Sequence, residues 1–564
     1  MRRTSLPRTA LPGLALLLVL GALAGGCRRG ADDTTAGYLI VGVAAGPNGF
    51  DPRLSSDEGS ERVAQLVYSR LMELDDSLRA VPGLAERLDR PDPLTWVVTL
   101  RDGVRFHDGR LLTSADVLYT IQTISDPATA SPLRGAYRSV ASVDAPDRRT
   151  VRFRLKEPVE SFPIQLVVSI VPDGAGPELR THPIGTGPYR FVSATADDRV
   201  VLERFDGYFR GAAVNPGIVL RILPDDTMRG LELRHGGVDL VINDVPPDLV
   251  HALDGRDGLR VVTAPGTDYA YIGVNTREAP LSDARLRRAL ALAVDRQAIV
   301  THLRRSLAGV ATGILPPISW AVATDVPRFD YDPDAARAAL DAAGYRDPDG
   351  PGPAPRLTLT LKISTNEFVR LQATVLQENF RAVGVELDVR QQEFATLFGD
   401  VVKGNFQLVT LQWVGGAVAD PDILRRVFHS DQIPPGGFNR GRYVNPDVDR
   451  LLDAATRASG EAERRRLYQE VQRIVARDQP YISLWYRTNA AVLQPWVEGL
   501  TLGTVIDFER LARVRRTGAA PPARAATTAY CSSLPAWSAN GDPGNSCTTR
   551  LYAFFASLSL PAAV

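Results

Sequence analysis

Cysteine is scarce, with three in 564 residues, at positions 27, 531 and 547. So few cannot form a disulfide framework, and no C-x-x-C or Cys/His grouping has the spacing of a zinc site. The six histidines, His107, His182, His235, His251, His302 and His429, are dispersed, so sequence neighbours offer no metal cage. Lysine is equally rare: Lys156, Lys362 and Lys403 stand against 62 arginines, which are spread over every segment and reflect composition rather than a basic patch. Acids and bases balance at 65 each. That balance leaves no surplus to neutralise a phosphate backbone and no acidic excess to hold the chain open, so no nucleic-acid partner is expected. Also missing are G-x-S-x-G, H-E-x-x-H and a phosphate-cradling glycine loop ending in lysine. Adjacent acids such as Asp225-Asp226 arise by chance in so long a chain. No catalytic residue, metal or cofactor is therefore assigned, and no internal repeat is visible.

What is there begins with a leader. Arg2, Arg3 and Arg8 precede an almost wholly apolar run over 10–24 that holds Pro12 and Gly13, the proportions of a secretory signal. A spanning helix needs ~20 apolar residues, and no later run approaches that length. The run closes on Leu23-Ala24-Gly25-Gly26-Cys27. These residues resemble a bacterial lipoprotein box, although Ala24 stands where that box has leucine. The resemblance implies that 1–27 is a lipoprotein signal peptide with its lipidated cysteine, that Cys27 receives diacylglycerol and becomes the new N-terminus, that 28–37 is a polar tether, and that the rest lies in the periplasm or on the outer face of the membrane. The mature length exceeds the ~250–300 residues at which one core stops growing, so at least two lobes are expected.

Along the mature chain, 38–44 reads as a short buried strand broken by Pro47-Asn48-Gly49. Val63, Leu66, Val67, Leu71 and Leu74 fall at helical spacing and predict a helix over 60–74. A strand follows at 95–100, with turns at Asp102-Gly103 and Asp108-Gly109, and Thr113 with Asp116 forms a capping-box variant. Strands dominate 140–191, where Gly185 and Gly187 are expected to supply backbone angles that a side chain forbids. Ser282 or Asp283 caps a helix, and Pro333 opens another that runs to Gly344. Beyond these, strand 357–363, helix 366–383, strand 385–389, helix 394–403 and strand 406–413 alternate with short links. That alternation predicts an open, largely parallel α/β sheet with its ligand beyond the carboxyl ends of strands. Helices at 446–458 and 461–476 and a strand at 481–486 follow. The Ala/Pro/Thr/Ser-rich stretch 517–564 lacks periodicity and reads as a tail in which Cys531 and Cys547 pair or remain incidental.

Several stretches resemble one family. They are Phe50-Asp51-Pro52 with Val67-Tyr68-Ser69-Arg70-Leu71, and Leu100-Arg101-Asp102-Gly103-Val104-Arg105-Phe106-His107-Asp108-Gly109 with Thr113-Ser114-Ala115-Asp116-Val117. Gly185-Thr186-Gly187-Pro188-Tyr189, Gly237-Val238-Asp239-Leu240, Arg287-Arg288-Ala289-Leu290 through Asp295-Arg296, and Ala343-Gly344-Tyr345 follow in order. Together they are similar to the oligopeptide, dipeptide and nickel type of solute-binding protein that serves ABC transporters, over 38–515. The resemblance implies a two-lobed periplasmic-binding-protein-like fold with a hinge and an extra subdomain on the first lobe. Lobe I would take 38–80, 186–267 and 483–516, the extra subdomain 81–185, and lobe II 268–482. It further implies a monomer that closes on a small peptide or other polar solute and meets permease subunits.

The candidate pocket is the strand end at Trp413 with Gly415, Gly416 and Ala417. An indole offers a flat apolar wall, and glycines let backbone groups approach a ligand. The alternative is a core tryptophan followed by a plain turn. Peptide-binding members of the family usually place an aspartate three residues after this tryptophan, to hold the ligand's ammonium; here the position is Gly416. Losing that charge-assisted bond costs a free peptide amine ~1.5–3 kcal/mol. Asp420 is a substitute or, with Pro421 behind it, a turn former. Ser60, Tyr271, Phe438 and Asn439 are further wall candidates by resemblance, each with a structural role as its alternative. A peptide sensor or chaperone uses the same fold, and a secreted hydrolase is the rival class.

Overall fold

The computed structural model describes residues 35–55, 57–350, 352–414, 418–434 and 437–517, all within one compact unit that reaches Ala520. Cys27 and the leader, most of the tether, the loop 415–417 and the tail with Cys531 and Cys547 lie outside the described residues.

Two long strands, Arg260–Val274 and Tyr481–Leu493, pair antiparallel and carry the chain between two halves. On one side of them the sheet continues through Leu240–Ile242, Leu39–Val43, Gly217–Ile222, Arg199–Arg204 and Tyr189–Thr195. On the other it continues through Leu408–Trp413, Leu357–Ser364 and Val385–Gln392. Each half buries its own core. Leu39, Val41, Leu66, Ile218 and Leu240 anchor the first, and the second is layered on both faces of its sheet. Strand alternation explains the layering: Ala270, Ile272 and Leu408 face one set of helices, while Tyr269, Tyr271 and Trp413 face another. A separate four-stranded antiparallel sheet over 85–155 packs with helix Ser114–Ser125 around Trp96, Phe106, Val117, Phe153 and Phe162. Among the described residues no helix is long and apolar enough to cross a membrane.

Four expectations need correcting. The second-half sheet is mixed: Leu357–Ser364 runs parallel to both Val385–Gln392 and Leu408–Trp413, but the crossing strands are antiparallel to their neighbours. One crossing strand enters this half and the other leaves it, which forces opposite directions. The helix over 60–74 ends at Val67, with Tyr68 extended, and Met72–Leu74 is a strand. Gly187 N–H takes the Val67 carbonyl at 2.9 Å, while Leu71 and Met72 donate to Val168 and Leu166. Partners from elsewhere in the chain thus overrule the helical spacing. Gly185 and Gly187 do not have positive φ. They are required by close approach, since a Cβ at Gly185 would strike the Val67 carbonyl and one at Gly187 would lie 2.6 Å from the Leu66 carbonyl. Finally, the strand expected at 481–486 runs on to Leu493.

Candidate functional site

The site grows from the end of Leu408–Trp413, where it pairs with the first crossing strand. Trp413 lies opposite Tyr269, and Leu411 opposite Tyr271. Tyr269 and Tyr271 therefore share a face and stack at 5.5 Å between ring centroids. Tyr271 stacks in turn on Tyr481, from the second crossing strand, at 4.0 Å and 15°. This aromatic layer is roofed by helices Ile423–Phe428, Pro446–Arg457 and Glu461–Asp478.

Trp413 keeps 9% of its surface exposed and meets Phe438, 36% exposed, edge-on at 5.8 Å and 84°. Such T-shaped pairs place a ring's positive edge against a negative face. Arg440 completes the corner, its guanidinium carbon 5.0 Å from the Trp413 centroid, 5.5 Å from that of Phe438 and 4.8 Å from that of Phe398. The Trp413 indole Nε1 and the Tyr271 and Tyr481 hydroxyls are buried without a well-formed hydrogen bond, although the two hydroxyls lie close to each other and that of Tyr271 lies close to the Arg440 guanidinium. Burial raises both tyrosine pKa values, and the charge of Arg440 offsets part of that rise at each.

The other candidates are already engaged. Asn439 is buried, donates to the carbonyls of His429 at 3.1 Å and Tyr443 at 2.7 Å, and accepts from Tyr443 N–H at 3.0 Å, so it clamps the loop that carries Phe438 and Arg440. Ser60 Oγ accepts from Asn48 N–H at 3.0 Å and donates to Asp57 at 2.7 Å, which ties the loop after the first strand to a helix start. Asp420 accepts from Asp422 N–H at 3.0 Å and serves the turn into helix Ile423–Phe428. Burial raises its pKa, while Ser161, from the first half, is among the groups that lower it. Asp422 is pushed up to about 7 by burial and by the charge of Asp420. Gly415, Gly416 and Ala417 lie outside the described residues.

The halves also meet directly. Arg79 and Glu461 form a two-pronged ion pair at 2.6 and 3.1 Å, joining a first-half hairpin to the start of helix Glu461–Asp478. Neither residue, nor Arg440, Tyr481 or Phe398, is singled out by the sequence reading. Arg440 carried one faint signal, its place directly after Phe438 and Asn439. Among the described residues no group of three or more His, Cys, Asp or Glu side chains is placed to hold a metal ion.

Two lobes on a pair of crossing strands, with an aromatic corner where a strand ends beside the crossing, define a two-lobed binding protein of the periplasmic type. The model of the bacterial extracellular solute-binding proteins, family 5, matches residues 79–434, and the chain belongs to that family. It is 27% identical over 524 residues to the oligopeptide-binding protein AppA of Bacillus subtilis, covering 87% of this chain and 96% of that one. It is 30% identical over 490 residues to the glutathione-binding protein GsiB of Shigella boydii, covering 84% and 92%. The solved structure of AppA from Bacillus subtilis with a nonapeptide superposes with a TM-score of 0.72 at 28% identity, covering 86% of this chain and 99% of that one.

Proposed function

We propose that this protein is the capture subunit of an ABC importer, held to the outer face of the membrane by a lipid on Cys27, and that it encloses a small peptide-like or other polar solute between its lobes. The lobes follow the boundaries 38–80, 186–267 and 483–516 against 268–482, with 81–185 as the added subdomain. The carrying observation is the corner of Trp413, Phe438 and Arg440 beside the two crossing strands. A guest there touches lobe II through the aromatic wall, and it touches lobe I only when the lobes are shut. Ligand then favours closure by its differential affinity for the closed state, and a permease reads closure. AppA and GsiB, named for oligopeptide and glutathione binding, support this solute class.

Native mass spectrometry of the purified protein, before and after mild denaturation, is expected to release a bound small molecule. Small-angle scattering of the stripped protein is expected to contract when that molecule returns. Unchanged scattering with the returned solute bound would sink the closure reading. Intact-mass analysis of the membrane-extracted protein tests the anchor, which requires a diacylglyceryl-modified Cys27 at the mature N-terminus.

A further inference from the structure

Among the described residues, Arg440 is a cation without a paired carboxylate. Its guanidinium is half-buried and boxed by Phe398, Trp413 and Phe438, and among the described residues no carboxylate lies within ion-pair distance of it. Some half-buried arginines of this lobe are matched by acids: Arg425 pairs with Asp431 and Asp453, and the side chain of Arg356 pairs with Asp341 and Asp347. Arg296 has no acid but donates to the carbonyls of Ser483, Ala291, Val294 and Phe329. The Arg440 guanidinium has no carboxylate or carbonyl partner among the described residues, and the Tyr271 hydroxyl lies beside it.

Around it lie three groups able to donate to an anion and without a well-formed acceptor. The Tyr271 and Tyr481 hydroxyls belong to residues only 1% and 6% exposed, and the Trp413 Nε1 to one 9% exposed. A buried donor left without an acceptor is destabilising; others stand alone elsewhere in the molecule, such as the Trp96 Nε1, but these three gather around one guanidinium. Three beside one unmatched guanidinium have a single remedy in common, an acceptor that carries negative charge. The sequence points the same way, because position 416, where peptide-binding members of the family usually carry an aspartate, is glycine.

We propose that Arg440, with the Tyr271 and Tyr481 hydroxyls and the Trp413 indole N–H, forms a carboxylate-receiving subsite, so that the solute is anchored by an acid group. This rests on the solute-capture reading above and specifies which end of the guest lobe II holds. The planar fork of guanidinium matches a carboxylate in two-pronged geometry, and the aromatic box keeps water from competing.

The test uses the full protein, stripped of endogenous solute, and two matched pools: tripeptides and short dicarboxylic acids as free acids, and the same compounds as primary amides. Retained compounds are read by mass spectrometry. The wild type is expected to retain acids over amides by at least about tenfold, the weight of a charge-assisted hydrogen-bond set. Arg440→Gln is expected to abolish that preference. Tyr271→Phe, which keeps the ring stack and removes only the hydroxyl, is expected to reduce it several-fold and guards against misfolding of the first variant. Equal retention of both pools by the wild type, or an unchanged preference in well-folded Arg440→Gln, would overturn the subsite while leaving solute capture intact. Retention from neither pool, together with release of no solute on denaturation, would overturn both.

Discussion

Breaking the Arg79–Glu461 bridge between the lobes should shift the balance of open and closed forms by only about twofold. The two side chains approach to 2.6 and 3.1 Å, but 45% and 41% of their surfaces remain in water. At a surface dielectric near that of water the Coulomb term is ~1 kcal/mol. Immobilising two long side chains leaves roughly 0.5 kcal/mol, which is a factor of about two in an equilibrium constant. Glu461 also accepts from Arg465 one helical turn on, at 2.6 Å, so a single change there disturbs more than the bridge. A double-mutant cycle of Arg79→Gln and Glu461→Gln isolates the coupling. Spin labels on cysteines introduced at Arg87 and Arg466, with the native cysteines replaced by serine, would report the distance distribution between lobes in ligand-free protein. Each single variant should lower the closed-to-open ratio about twofold, and the double variant no further. In 1 M salt, where the screening length is ~3 Å, the coupling should vanish. A shift of tenfold or more, or strictly additive single effects, would refute the view that closure is held weakly and left for ligand to decide.

The remaining predictions follow from the site. Trp413→Ala should weaken binding of the co-purified solute by ~2 kcal/mol or more in calorimetry; unchanged affinity would remove the indole from the site. Asn439→Ala deletes three buried hydrogen bonds around the Phe438–Arg440 loop and should cost ~2–4 kcal/mol in chemical denaturation, whereas a loss under ~0.5 kcal/mol would show that the loop does not need its clamp. Burial and the neighbouring charge of Asp420 raise Asp422 to about 7. The folded protein therefore holds a proton that the unfolded chain releases near pH 4, and stability is lost as pH rises from about 4 through 7. Asp422→Asn should melt higher than the wild type at pH 8, by at most ~4 kcal/mol of stability, and match it near pH 4; the reverse order at pH 8 would refute the assignment.

Local chemistry made much of the second half legible. Asp283, Asp332 and Asn366 cap helices where the sequence places helix starts, and Gly384 and Gly404 follow the helices Glu367–Arg381 and Phe394–Lys403 at φ +79° and +85°, angles that exact a cost from any other residue. What no local pattern revealed was the reach of the crossing strands. Arg260–Val274 contains Pro265 and Gly266, with a register shift immediately after them, so its alternation is broken where it changes lobes. Its continuity comes from pairing with residues more than 200 positions away, and strand length set by a partner is invisible in a short window.

The same limit hid the chemistry of the site. Tyr271, Trp413, Arg440 and Tyr481 stand in four separate segments, and each alone has an ordinary reading as core or loop. The replacement of an acid by Gly416 was visible in the sequence, yet a missing charge says only what the pocket does not hold. Its meaning depends on the charges around the same tryptophan, where Arg440 is stacked at 5.0 Å. Removing a negative group and leaving a positive one unmatched reverses the local potential, and a zwitterionic guest that entered amine-first would be turned end for end. Restoring the acid with Gly416→Asp should then lower the retention of free acids. If the acid preference survives in that variant, the carboxylate is held elsewhere and polarity at this corner does not orient the guest.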